Sequence, residues 1–333
     1  MKISPLLEHH RHAGFQVSAY RGSETLEKTG EETGPAPLQS PALYDASWRS
    51  VLAVSGADAR KWLNGMITAN VRDLTPGRVA PSFQLDPKGH ILAMFDVACV
   101  GADEFLLLSD EAQTAGLEER LRRFVFISKL TLADRSEQFS PLLVRSEALA
   151  ALAGLGITAP APGACADLGE GGGWMAATAA GVEIWRPPAA TVGLWRQLAP
   201  AIEPGGWRQY ERQRILDGEP AYGAEITGAE LAQETGELAR LDYTKGCYVG
   251  QEIVERVRAR GAVHRHLVRL RLEAAVAAGT TVEVAGAAAG RITSVTSPNG
   301  HSGSYIALGY MRDPHAATGT TVTAGGVAGE VRS

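Results

Sequence analysis

The chain reads as an α+β protein that ends in an all-β domain, and three observations predict it. Ala59, Trp62, Leu63, Met66 and Ile67 recur at helical spacing. Ile91 to Val97 and Phe105 to Leu108 are apolar runs of strand character, separated by the turn Gly101-Ala102-Asp103-Glu104. Beyond Gly261 the texture changes to short β-type runs punctuated by glycine, the pattern of a small antiparallel sandwich or barrel.

In chain order, Gly22 to Gln39 is dense in Glu, Thr, Gly and Pro and lacks aromatics, which predicts a surface loop or linker. Val51 to Val54 predicts a short strand. Ser55, with Asp58 three residues on, predicts a capping box that starts the first helix. A second helix follows, with Asp110 as its N-cap and Leu117, Leu121, Phe124 and Val125 on one face. Ala148 to Ala166 reads as a helix end followed by a loop, because Gly154, Gly156, Pro160, Pro162 and Gly163 interrupt it. Arg256, Arg258 and Arg260 alternate, and with His264, Arg265 and His266 they predict a strand face carrying several positive charges, most simply a solvated one. The β-type runs are Leu267 to Leu272, Thr281 to Val284, Arg291 to Val295, Tyr305 to Tyr310 and Val327 to Val331. Ser297-Pro298-Asn299-Gly300 marks a turn among them.

The 333 residues suffice for about two or three domains, and 45% hydrophobic content is ordinary for a globular chain. A net charge of −5 gives no overall basic field, which disfavours nucleic acid as the primary partner. Glu8, His9, His10 and Arg11 break any apolar leader, so a cytoplasmic location is expected. No stretch is apolar and long enough for a membrane-spanning helix. The three cysteines, Cys99, Cys165 and Cys247, lie far apart without C-x-x-C spacing, so neither a disulfide framework nor a metal site is encoded locally. Cys99 in an apolar run and Cys165 in a small-residue loop read as packing residues.

Lys245-Gly246-Cys247-Tyr248-Val249-Gly250-Gln251-Glu252 is the segment that looks chemical. A thiol acts as nucleophile or metal ligand only as the thiolate, and an adjacent ammonium such as Lys245 lowers its pKa in that direction. Gly246 and Gly250 permit a sharp bend or a close approach. Cys247 alone would read as a small buried residue in a tight turn. The whole string resembles the signature of the YgfZ family of folate-binding proteins, paralogues of the glycine-cleavage T-protein, whose pattern is K-G-C-Y-x-G-Q-E.

The likeness extends to Leu63-Asn64-Gly65 with Thr68-Ala69-Asn70-Val71, and to Gly290-Arg291-Ile292-Thr293-Ser294 with Ile306-Ala307-Leu308-Gly309-Tyr310. It implies three domains in a ring, with tetrahydrofolate bound near the middle. The domains would be a discontinuous folate-binding α+β domain of residues 1–50 and 141–255, a second α+β domain of residues 51–140, and an antiparallel barrel of residues 256–333.

The resemblance also places the folate site. A pterin edge offers adjacent N–H donors that one carboxylate accepts together, and Glu183 in Gly181-Val182-Glu183-Ile184-Trp185 matches the acidic residue of the T-protein's G-x-E-I segment. Arg214, in Arg214-Ile215-Leu216-Asp217-Gly218-Glu219-Pro220, matches an arginine at the folate site and could hold a carboxylate bidentately. Tyr222 and Tyr248 are candidates to stack on the ligand's rings, or simply to pack. The T-protein's aspartate follows a G-x-I-L turn. Here Gly89-His90-Ile91-Leu92 is followed by Ala93 and Met94, so its acid–base step has no evident agent. Asp96, two residues further, shares Met94's face if strand alternation holds.

The resemblance therefore implies a tetrahydrofolate-binding accessory protein for iron–sulfur cluster assembly or repair. Its partners would be iron–sulfur client enzymes, tRNA-modifying ones among them, or assembly proteins, with Cys247 and Lys245 as the reactive pair. The alternative is a tetrahydrofolate-dependent aminomethyl- or methyltransferase acting on an amine, and a folate-storing scaffold without chemistry is a third reading.

Overall fold

A computed structural model describes residues 1–28, 41–169, 172–261, 263–296 and 303–332. Contacts divide the chain into two compact units. The first comprises Met1–Gln84, Ala93–Gln209 and Asp242–Val249, and the second Leu85–Leu92, Tyr210–Leu241 and Gly250–Ser333.

Two sheets organise the first unit. One runs in the order Arg78–Leu85, Ile91–Gly101, Glu104–Asp110, Arg49–Ser55, Thr131–Asp134. The other runs Cys165–Asp167, Trp174–Thr178, Gly181–Arg186, Ser140–Val144, Leu43–Asp45, Pro204–Gly205. Both are hydrophobic on both faces, for a reason visible in their alternation. Leu52, Val54, Ala93, Phe95, Val97 and Leu107 pack with Ala59 and Leu63 of helix Ala59–Met66 and with Leu117 and Leu121 of helix Glu111–Arg122. Their neighbours Val51, Ala53, Ala98, Leu106 and Leu108 face the other way, against Trp174, Ala176 and Trp185 of the second sheet. That sheet's opposite side, Leu142, Val144, Met175, Val182 and Ile184, is covered by Trp195 and Leu198 of helix Pro188–Leu198. Helices, sheet, sheet and helices thus form successive layers, and alternate residues of one strand serve different cores. A small third sheet has the order Lys2–Ile3, Ser23–Lys28, Gln16–Tyr20.

The second unit holds a closed barrel in the order Arg265–Leu272, Tyr305–Arg312, Ala287–Val295, Thr281–Val284, Thr321–Ala324, Val327–Arg332, with the last strand pairing antiparallel to the first. Leu270, Leu272, Val282, Ile292, Met311, Val322 and Val331 fill it. Full closure leaves no strand edge exposed. The C-terminal all-β expectation holds, with one strand more than the pattern shows: Thr321–Ala324 is too polar to stand out.

Several local expectations are corrected. Within Gly22 to Gln39, Ser23–Lys28 is a strand, while residues 29–40 lie outside the described residues. Leu26 is buried, and the hydroxyls of Ser23 and Thr25 are satisfied by the Ser47 and Asp45 carbonyls, so a polar composition hid an ordered segment. The first helix starts at Ala59 without a capping box, because the Asp58 carboxylate accepts from the Lys129 N–H. The second helix ends at Arg122, leaving Phe124 beyond it and exposed. Asp110 precedes that helix, but its side chain binds arginines instead of capping. Cys165 is in an edge strand rather than a loop. Arg256, Arg258 and Arg260 sit on helix Gln251–Arg260, where Arg256 pairs with Glu252 and Arg258 with Glu255. The turn at Ser297 to Gly300 lies outside the described residues.

Two-sided burial has a measurable signature. Leu107→Ala and Leu108→Ala point to opposite faces, and each is expected to cost about 2–5 kcal/mol in denaturant unfolding. A silent Leu108→Ala would show that the inter-sheet core is not formed.

Candidate functional site

The segment around Cys247 is built by a lysine. Lys245 is buried, and its Nζ donates to the carbonyls of Ile67 at 2.6 Å and Ala69 at 2.5 Å, with the Tyr248 ring 5.0 Å away. The Asp242 N–H reaches the Thr68 carbonyl and the Val249 N–H the Gly65 carbonyl, so both flanks of the loop are laced to residues 65–69. Asp242 also accepts from the backbone and hydroxyl of Thr244, which fixes the entry turn. Gly246 has φ +95 and Gly250 φ +86, a backbone region open chiefly to glycine. A Cβ on Gly250 would also stand 2.6 Å from the Asp86 carbonyl. Between inward Lys245 and inward Tyr248, Cys247 is exposed.

Lys245 therefore anchors the loop, with its ammonium committed to carbonyls, and among the described residues no hydrogen bond joins it to the thiol. Burial lowers its pKa from 10.5 to about 7, while Asp242 pulls it upward. Tyr248 is buried with one ring face under that nitrogen, a packing position.

A second constellation lies at the polar end of the inter-sheet core. Glu183, expected as a ligand carboxylate, is buried rather than solvated. Its Oε1 accepts from Arg49 Nε at 2.8 Å and its Oε2 from Trp185 Nε1 at 2.9 Å. Arg49 Nη1 donates to Asp110 at 2.9 Å, and Nη2 donates to the Leu108 carbonyl and lies 3.9 Å from Asp96. Arg21 takes the other Asp110 oxygen at 2.6 Å. Three carboxylates thus share two guanidiniums. Burial raises the Glu183 pKa, opposed by Arg49 and reinforced by Asp96. Against burial, Arg21 and Arg49 hold Asp110 below the usual carboxylate range. The side chains of Asp96 and Arg49 remain 12% and 15% exposed, so solvent reaches the cluster on their side.

Arg49, Asp96, Asp110 and Arg21 were not singled out with Glu183 from sequence, since they come from separate strands and only the sheet register assembles them. Asp96 does share the Met94 face, opposite Ala93, which is fully buried in the helix-side core. The backbone of Met94 is held on both sides by the Gln113 amide.

The second unit contains Arg214 and Tyr222. Arg214 does hold carboxylates, but they are the protein's own. Its Nε and Nη2 donate to Glu211, Nη1 to Glu225 and the Glu219 carbonyl, and Nη2 also to Ser294. All five N–H groups meet acceptors of the protein itself. Glu225 is fully buried and accepts from Thr293 and Ser294 of the barrel as well. Tyr222 is half-buried in a turn bridged to Ile226. Among the described residues no group of three His, Cys, Asp or Glu side chains could hold a metal ion.

The family described as the GCVT N-terminal domain matches residues 18–151. An aminomethyltransferase of Saccharopolyspora erythraea is 26% identical over 344 residues, 96% of this chain and 92% of the relative. The tRNA-modifying protein YgfZ of Escherichia coli strain SE11 is 28% identical over 240 residues, 69% of this chain and 71% of the relative. The crystal structure of the glycine cleavage system aminomethyltransferase T from Bartonella henselae superposes with a TM-score of 0.87 at 20% identity, covering 100% of this chain and 97% of that one. The chain is thus similar to GcvT-like proteins, with YgfZ among the relatives it matches. Its fold is GcvT-like, with mixed α/β architecture and a closed C-terminal barrel. Both Glu183 and the cysteine loop lie beyond the span matched by the GCVT N-terminal domain.

The lysine anchor generates a pH prediction. Above pH 7 folded Lys245 is largely neutral while the unfolded side chain still binds a proton up to about 10.5, so this group makes stability rise with pH between those values. In unfolding titrations the difference between wild type and Lys245→Met should shift in favour of wild type from pH 7 to 9. A constant difference would show that the amine is not desolvated.

Proposed function

We propose that this protein binds tetrahydrofolate through Glu183 and serves iron–sulfur enzymes in the cytoplasm, tRNA-modifying enzymes among them, with Cys247 as its working thiol. The observation that carries the reading is the anchored loop: Lys245, the lacing to residues 65–69 and two glycines hold a turn whose one exposed reactive side chain is Cys247. A packing cysteine needs no such presentation, whereas ligating iron, carrying a persulfide or forming a mixed disulfide each requires a thiol with access. That the Escherichia coli relative is a tRNA-modifying protein supports the client class.

The residues present suit folate chemically. An ionised carboxylate has about four acceptor sites, and Arg49 and Trp185 engage one on each Glu183 oxygen, which leaves acceptors for the adjacent N–H groups of a pterin edge. Bound folate would supply a one-carbon carrier. Glu183 would orient it, and Asp96 is the titratable group at the exposed margin. That placement of Asp96 favours the second reading, aminomethyl or methyl transfer to or from an amine, which a direct one-carbon transfer assay comparing wild type with Asp96→Asn tests.

Glu183→Ala should weaken 5-formyltetrahydrofolate binding by on the order of 1.5–3 kcal/mol for each charged hydrogen bond lost; unchanged affinity by calorimetry would remove Glu183 from the site. Cys247→Ser should keep that affinity and fail to restore activity of a radical iron–sulfur tRNA-modifying enzyme in cells lacking the protein. Equal rescue by wild type and Cys247→Ser would discard the thiol role.

A further inference from the structure

Glu183 stands on strand Gly181–Arg186, and among the described residues the charges acting on it come from the opposing sheet: Arg49 from Arg49–Ser55 and Asp96 from Ile91–Gly101, with Asp110 of Glu104–Asp110 joined to the cluster through Arg49 and shared with Arg21. Arg49 is the hub. Its Nε holds one Glu183 oxygen while Trp185 Nε1 holds the other, so two donors fix the carboxylate plane from opposite ends. The Asp110 and Leu108 contacts in turn fix the guanidinium.

From these contacts we infer that Arg49 is the positioning residue of the folate site: it orients the Glu183 carboxylate and keeps it in its acceptor form for the donor edge of a bound pterin. The inference rests on the proposed role of Glu183 and adds a second residue to it. Protonated Glu183 would present an O–H donor to ligand N–H donors, so loss of the negative charge removes an acceptor and opposes two donors. Burial and the nearby Asp96 push Glu183 toward that acid form, and the Arg49 guanidinium opposes them. Asp110, already paired with Arg21, lets Arg49 stay between the sheets without carrying all three acids alone.

Two measurements test this. Affinity for 5-formyltetrahydrofolate is measured by calorimetry between pH 6.5 and 8.5 in wild type, Arg49→Gln, Arg49→Lys and Glu183→Gln. The Glu183 side-chain carboxyl carbon is titrated by NMR in the Arg49 variants and wild type. Arg49→Gln should bind progressively more weakly as pH falls, by up to about tenfold per pH unit once Glu183 protonates. Its carboxyl should titrate higher than in wild type. Arg49→Lys, which keeps the charge but not the fork, should restore a flat pH profile at reduced affinity, and should cost nothing further when combined with Glu183→Gln. A wild-type pH profile in Arg49→Gln, or an unmoved Glu183 titration, overturns the inference. Should Arg49→Gln fail to fold, the Arg49→Lys carboxyl titration and its coupling to Glu183→Gln still decide the matter, because a merely structural arginine would show no coupling in ligand affinity. If Glu183→Gln binds as tightly as wild type, the pterin role of Glu183 falls, and the carboxyl titration reports separately on Arg49.

Discussion

Pairing of the Arg49 guanidinium with Glu183, Asp110 and Asp96 is the constraint on which the inter-sheet architecture turns. Two sheets packed face to face bury alternate residues of every strand, and where that core ends in acids they need compensation on the spot. Removing one partner from such a cluster leaves an uncompensated buried charge, typically a loss of about 3–5 kcal/mol. The arginine that allows the core to end in carboxylates also determines what those carboxylates can accept. On the proposed folate role of Glu183, structure and ligand recognition would depend on the same contacts.

The loop bearing Cys247 follows the opposite logic. Nothing about the thiol itself is buried; its surroundings are. A lysine is drawn inward at the cost of its own proton affinity so that a cysteine two residues later can be held outward on a short tether. A flexible loop would expose the same sulfur, but would lose orientation entropy at each encounter with a partner. Fixing the backbone beforehand removes part of that cost.

How much of this was legible in the sequence depended on range. Periodicity marked the helix at Ala59–Met66, the strand pair around Gly101 to Glu104 and the β-rich C-terminal region, because each signal is carried by neighbours in the chain. Cys247, Lys245 and Glu183 were marked by their flanking residues, while the job of Lys245 was not, since the carbonyls it binds lie 178 and 176 residues away. Arg49 carried no local signal. A strand arginine acquires meaning only when the register sets it against Asp110 and the second sheet sets it against Glu183. Arg214 shows the converse: a matching string suggested a ligand arm, and its five N–H groups meet acceptors of the protein itself, which no local signal announced.

Ala93 and Met94, adjacent in the chain, meet different solvents in the broad sense. Ala93 faces aliphatic and aromatic side chains of the helix-side core, and Met94 faces the side where Asp96 already stands near two other acids. An aspartate acquired at position 93 would be a desolvated, unpaired charge, and one acquired at 94 would be a fourth carboxylate beside two guanidiniums.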